Sequence, residues 1–200
     1  MPPAPAASSP MPAAALGRSA AAEELVSKTT QAIQTAAGKY PELRSRTYIA
    51  ANLDATSSTI NLYTKADNRP RLFDMLGMTM APAAAKGGAD TEDEFFVEYS
   101  AEKADALTSD LFWSWANDES AVEAVEKNEL LSTIPAVKNR TALFVTDNTT
   151  VMSLSAASPL SLPWCCENHV PQIAAAVTGA TATASDGASA SATASATSAS

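Results

Sequence analysis

The chain reads as an α/β protein, a single lobe with a mostly parallel sheet flanked by helices. Short runs of bulky, β-branched and aromatic residues alternate along it with helix-forming segments. Several of these runs are apolar throughout, as strands buried on both faces are. With 200 residues, 46% of them hydrophobic, the chain has material for one core and hardly for two.

Met1 to Ala15 is mostly Ala, Pro and Ser with almost nothing large to bury, and is expected to be disordered. Ser19 to Ala37 is Ala-rich, carries Glu23 and Glu24 early, and sets Leu25, Ala32, Ile33 and Ala36 near one face. That pattern predicts a helix, stopped by Gly38. Thr47 to Ala51 predicts the first strand, and Thr59 to Thr64, alternating with period two, the second. Asp67 or Asn68 can cap a short helix that tolerates Pro70 in its first turn, turns Leu72, Phe73, Met75 and Leu76 inward, and ends at Gly77. Ala81 to Asp93 reads as a surface loop and Phe95 to Tyr99 as the third strand. Ser100 can cap a helical stretch from Ala101 to Leu107, and Asp110 to Trp115 is a buried strand. An acidic helix from Ser120 to Lys127, a last strand from Thr141 to Thr146, and a final helix from Pro163 and Trp164 to about Val177 complete the series. Residues 178–200 are almost wholly Ala, Ser and Thr, and are expected to be a disordered tail.

Composition removes several function classes. A net charge of -9 with no basic stripe argues against nucleic acid as a partner. No run is long enough to span a bilayer. Met1 to Ala15 has neither the basic start nor the continuous apolar run of a secretory leader, and Pro2, Pro3, Pro5, Pro10 and Pro12 break any helix there, so no signal peptide is read. Cys165 and Cys166, adjacent and poorly placed for an ordinary disulfide, read as small buried side chains. A single histidine, His169, leaves bare zinc or manganese capture without a ligand set, so no metal site and no cofactor are expected. Hydrolysis would need Ser158 or Ser161 with His169 and an Asp, yet no Gly-x-Ser-x-Gly elbow is present.

The order of segments carries a resemblance. Tyr63 to Met78, Phe96-Val97-Glu98-Tyr99-Ser100-Ala101-Glu102, Ala106 to Phe112 and Ile134 to Arg140 each resemble a landmark of one family. The strongest is Ser158-Pro159-Leu160-Ser161-Leu162-Pro163-Trp164, followed by Val170-Pro171. Together they resemble the second lobe of the solute-binding proteins that serve ABC importers of iron-siderophore and cobalamin, a class of periplasmic proteins and lipoproteins. The resemblance implies a Rossmann-like carboxy-terminal lobe at 41–177, preceded at 16–40 by the end of an inter-lobe helix, with the amino-terminal lobe absent. It further implies a ferric siderophore held between two lobes, a permease as partner, a separate first lobe as a further partner, and a place in the cell envelope. A remnant that folds but binds nothing is the competing expectation.

A pre-chelated ferric ion asks the protein for cations and π surface rather than metal ligands. Candidates near the carboxyl ends of strands, where open α/β sheets bind ligands, are Tyr63, Arg69, Arg71, Tyr99, Trp113 and Trp115. The tryptophans fit either core packing or a cleft rim, and the two arginines fit a solvated helix start. Cations oppose the helix dipole at that position, however, and so call for a nearby anion. The resemblance also implies an acidic residue that docks on the permease. Its closest match here is Arg71, which leaves Asp67 or Asp74 as substitutes.

Overall fold

The computed structural model describes residues 19–179. The expectations for Met1 to Ala15 and for the tail beyond Gly179 lie outside the described residues. Helix α1 (Ser19–Lys39) leads through a single 3-10 turn (Pro41–Leu43) into β1 (Thr47–Asn52). Then follow β2 (Thr59–Tyr63), α2 (Asn68–Met75), β3 (Thr79–Met80), a short α3 (Pro82–Ala84) and a π-helical turn over Ala85–Ala89. β4 (Phe96–Ser100), a 3-10 stretch (Ala101–Ala106), β5 (Leu111–Trp115) and α4 (Glu119–Lys127) come next. The chain ends through α5 (Pro135–Lys138), β6 (Ala142–Val145), α6 (Asn148–Ser155), α7 (Ser161–Asn168) and α8 (Val170–Thr178).

The sheet order is β4-β2-β1-β5-β6, with β3 paired beside β1. β1 is parallel to β3 and β5, β5 is parallel to β6, and β2 is antiparallel to both β1 and β4. Only β2 therefore runs against the other strands, and the mostly parallel sheet read from the sequence is present. The reversal has a local cause. Asp54 accepts from the Thr56 backbone N–H at 2.8 Å and closes a turn that joins β1 to β2 as a hairpin, with no room for a crossover helix.

Alternation across the registered rows sorts the side chains into two faces. Tyr63, Ala50 and Trp113 fall in one row, with Trp115 two residues further on the same face. Ile60 pairs with Tyr99 and Leu62 with Val97, which puts Tyr99 on the opposite face. On the first face, Phe73 of α2 packs edge-on between Tyr48 and Trp113, at centroid distances of 5.1 and 6.3 Å. Asp110 ties the amino ends of β1 and β5 together by accepting from the Thr47 backbone N–H at 2.7 Å and from Arg46 Nη1 at 3.3 Å.

Several elements differ from the sequence reading, the two-residue β3 and the short α5 among them. The stretch read as loop from Ala81 to Asp93 holds α3 and the π turn, with Gly88 at φ 99°. The region before Pro163 holds α6, capped by Asp147, which accepts from the Thr150 backbone N–H at 2.7 Å. The single final helix is two, broken at His169, where Pro171 cannot donate to a continuing ladder.

Candidate ligand-binding rim

Five of the residues singled out in the sequence meet at one place. Tyr63 ends β2 and Trp115 ends β5, and the Trp115 Nε1–H donates to the Tyr63 hydroxyl at 2.9 Å. Both side chains are partly exposed. The Arg69 guanidinium lies 4.1 Å from the centre of the Tyr63 ring and 5.6 Å from that of Trp113. Asp67 caps α2 by accepting from the Arg69 backbone N–H at 2.9 Å, and its other carboxylate oxygen accepts from Arg69 Nη1 at 2.9 Å. That carboxylate is the anion the helix start called for: it satisfies the dipole and the cation together. Arg69 Nη2 donates to the Ser155 hydroxyl, and Asn68 Nδ2 to the Ser155 carbonyl at 3.2 Å, so the start of α2 is fastened to the end of α6. Arg69 Nε is buried without a hydrogen-bond partner among the described residues.

Behind this rim the polar chain continues inward. Trp113 is fully buried and donates from Nε1 to His169 Nε2 at 2.9 Å. An indole can only donate, so the histidine proton sits on Nδ1, which faces Gln172 Oε1 at 3.0 Å. Burial pushes His169 down to about 4, so the ring is neutral near pH 7. Both ring nitrogens are therefore engaged. Ser161 Oγ donates instead to the Ser153 carbonyl at 3.0 Å, and among the described residues no serine-histidine pair of the kind hydrolysis requires is formed. Cys165 and Cys166 are buried free thiols, pushed up by burial to about 12 and about 11.

The other candidates stand apart. Arg71 is exposed on the outer side of α2 and donates from Nε to the Lys65 carbonyl at 3.1 Å. Tyr99 lies across the sheet, with its hydroxyl donating to the Lys103 carbonyl at 3.2 Å. Asp74 is exposed but accepts from the buried Tyr48 hydroxyl at 2.8 Å, and partial burial raises its pKa. Trp113 cannot reach a ligand from its position. It serves as the buried neighbour that fixes Arg69 and His169. Sequence reasoning overlooked Ser155, His169 and Gln172 as members of this network. The signal for Ser155 was available in Asp147 followed three residues later by Thr150, a helix start one segment earlier than the one read.

No family model matches the chain, and no curated protein does. Solved structures do match. PiaA from Streptococcus pneumoniae TIGR4, in complex with ferrichrome, aligns at 26% identity and a TM-score of 0.69, over 83% of this chain and 56% of that one. A periplasmic solute-binding protein of Mycobacterium smegmatis aligns at 14% identity and a TM-score of 0.67, over 84% of this chain and 54% of its own. FhuD2 from Staphylococcus aureus with bound ferrioxamine B aligns at 13% identity and a TM-score of 0.64, over 84% and 63%. The chain thus spans a little over half the length of the structures it matches. The resemblance read from the sequence and the likeness in structure converge: the chain has the fold of the FhuD-type iron-siderophore substrate-binding proteins of ABC transporters, over part of such a protein's length.

Proposed function

We propose that the chain is the carboxy-terminal lobe of a ferric-siderophore solute-binding protein of ABC-type iron uptake, working in the cell envelope. It carries half of the ligand jaw, with a first lobe supplied by a separate segment. Tyr63 and Trp115 offer their rings to the chelate, with Arg69 lending its charge to the Tyr63 face. The observation that supports this reading best is the Trp115–Tyr63–Arg69 stack, its two rings partly exposed at the rim and its arginine locked from behind by Asp67, Ser155 and Trp113.

The same stack bears on the kind of chelate. The Arg69 charge is already compensated by Asp67 at 2.9 Å, and the chain carries a net charge of -9. A triply anionic ferric tris-catecholate meets little uncompensated positive charge at this rim, whereas an uncharged ferric tris-hydroxamate loses nothing by it. Arg71 and Tyr99 have no part in this version of the site. Asp67 is consumed internally, so Asp74 remains as the acidic residue for docking on the permease.

Calorimetric titration of the chain with ferrichrome and with a ferric tris-catecholate tests the reading. It predicts saturable binding of the first, weakened by Trp115→Ala, and little of the second. Absence of binding by either would leave a fold that does not bind, and the reading would fall.

A further inference from the structure

A concave site lies on the face of the sheet opposite Tyr63 and Trp115. It is a cavity of about 400 Å³ lined by Ala83, Lys86, Gly87, Tyr99, Lys103 and Ala106, within the usual size range of small-molecule sites. Two segments of unusual backbone deliver its cations. Lys86 and Gly87 sit in the π-helical turn, a rare geometry that recurs at functional sites, and Lys103 sits at a kink in the 3-10 stretch, at φ -108° and ψ 17°. Gly87 is required by the floor. A Cβ there would come within 2.9 Å of Tyr99 Cδ2 and 3.1 Å of Cε2, so only glycine lets the backbone close onto the ring. The Tyr99 hydroxyl is tied to the Lys103 carbonyl at 3.2 Å, which holds the ring at the base of the cavity. Neither lysine forms an ion pair among the described residues, although the chain holds 22 acidic residues against 13 basic ones.

The geometry points to this cavity as a binding site for a small aromatic carboxylate, independent of the ferric chelate. Two unpaired ammonium groups call for an anion, and three donors on each can follow a carboxylate. The Tyr99 ring and the methyl groups of Ala83 and Ala106 call for a flat apolar body, and the volume is too large for a lone inorganic anion to fill. Tyr99 thus finds a use on its own face that it lacks at the rim. The site goes beyond the proposed transport role and does not depend on it.

Fluorine NMR of the full chain with 4-fluorobenzoate as the probe tests the assignment, with 4-fluorobenzyl alcohol and inorganic phosphate as comparison ligands. The expected result is saturable binding in the millimolar range, weakened about tenfold by Lys86→Gln and by Lys103→Gln, as loss of a charge-assisted hydrogen bond should do. Both lysines are exposed, so neither change should move the thermal midpoint, which is recorded alongside. The uncharged alcohol should show no saturation. Three results would each overturn the assignment: no saturable binding of 4-fluorobenzoate, binding unchanged in both lysine variants, or displacement of the probe by phosphate at equal concentration.

Discussion

Arg69 is the residue on which the rim depends most. Its side chain is almost wholly buried, as is that of its partner Asp67, and removing one member of such a pair strands the other charge. Arg69→Met is expected to destabilise the lobe by about 3 kcal/mol. Urea unfolding would measure this, and the double change with Asp67→Asn should recover part of the loss. The legibility of this residue was partial. Its position after a strand and its conflict with the helix dipole could both be read from Asp67-Asn68-Arg69-Pro70. Its pairing with Ser155 could not, because that contact joins positions 86 residues apart. His169 makes a second test at this scale. Its folded-state pKa is lowered to about 4 from the ordinary 6.5, so the unfolded chain takes up the proton first as pH falls. Its contribution is complete above pH 6.5 and is lost between there and pH 4, by at most about 3 kcal/mol. In His169→Phe the fall in stability over that window should shrink, leaving the smaller losses from Asp54, Asp110, Asp118 and Asp147, whose lowered pKa values act at more acid pH.

At the scale of elements, caps and glycines decide where helices begin and end. Asp118 accepts from the Ala121 backbone N–H at 2.9 Å and Asp147 from that of Thr150 at 2.7 Å. Replacing Asp147 by Ala should cost about 1 kcal/mol, read as a shift in denaturation midpoint, and replacing Asp118 should move the midpoint in the same direction. Gly77 sits at φ 89°, where a Cβ would also stand 3.2 Å from Arg44 Cγ, so Gly77→Ala should destabilise by about 1–2 kcal/mol on the same measurement. The longer strands and the cap at Asp67 were open to reading because each is a local pattern. The reversed direction of β2 was not, since period-two alternation marks a half-buried strand without stating which way it runs. The π turn escaped for a related reason: Ala, Gly and Lys in Ala85–Ala89 carry no periodicity, and the close approach of Gly87 to Tyr99 is a tertiary demand.

For the whole molecule, one core is enough to expect a cooperative unit. Trp113, Tyr48, Phe73 and Phe112 are all fully buried, and the contacts of α1 with α7 and α2 close the lobe on itself without a second one. Among the described residues no helix is long and apolar enough to cross a membrane. The charge of -9 makes a further prediction at this scale. Affinity for an uncharged ferric chelate should be nearly unaffected by salt, while any residual affinity for an anionic one should rise with salt as repulsion is screened. The fold class was legible from the alternation of segments and the family resemblance. The split of the candidates between two faces was not, because it depends on register, which the sequence states only once pairing is known.

Trp115 is the partly exposed tryptophan of the proposed jaw, Trp113 is fully buried, and Trp164, 36% exposed, lies on α7 outside the rim. Quenching of tryptophan emission by ferrichrome, compared between the unchanged chain, Trp115→Phe and Trp164→Phe, therefore decides whether the rim receives the chelate. Saturable quenching should survive Trp164→Phe and be largely lost in Trp115→Phe. Quenching that persists in Trp115→Phe and vanishes in Trp164→Phe, or none in any of the three, would contradict the proposed jaw.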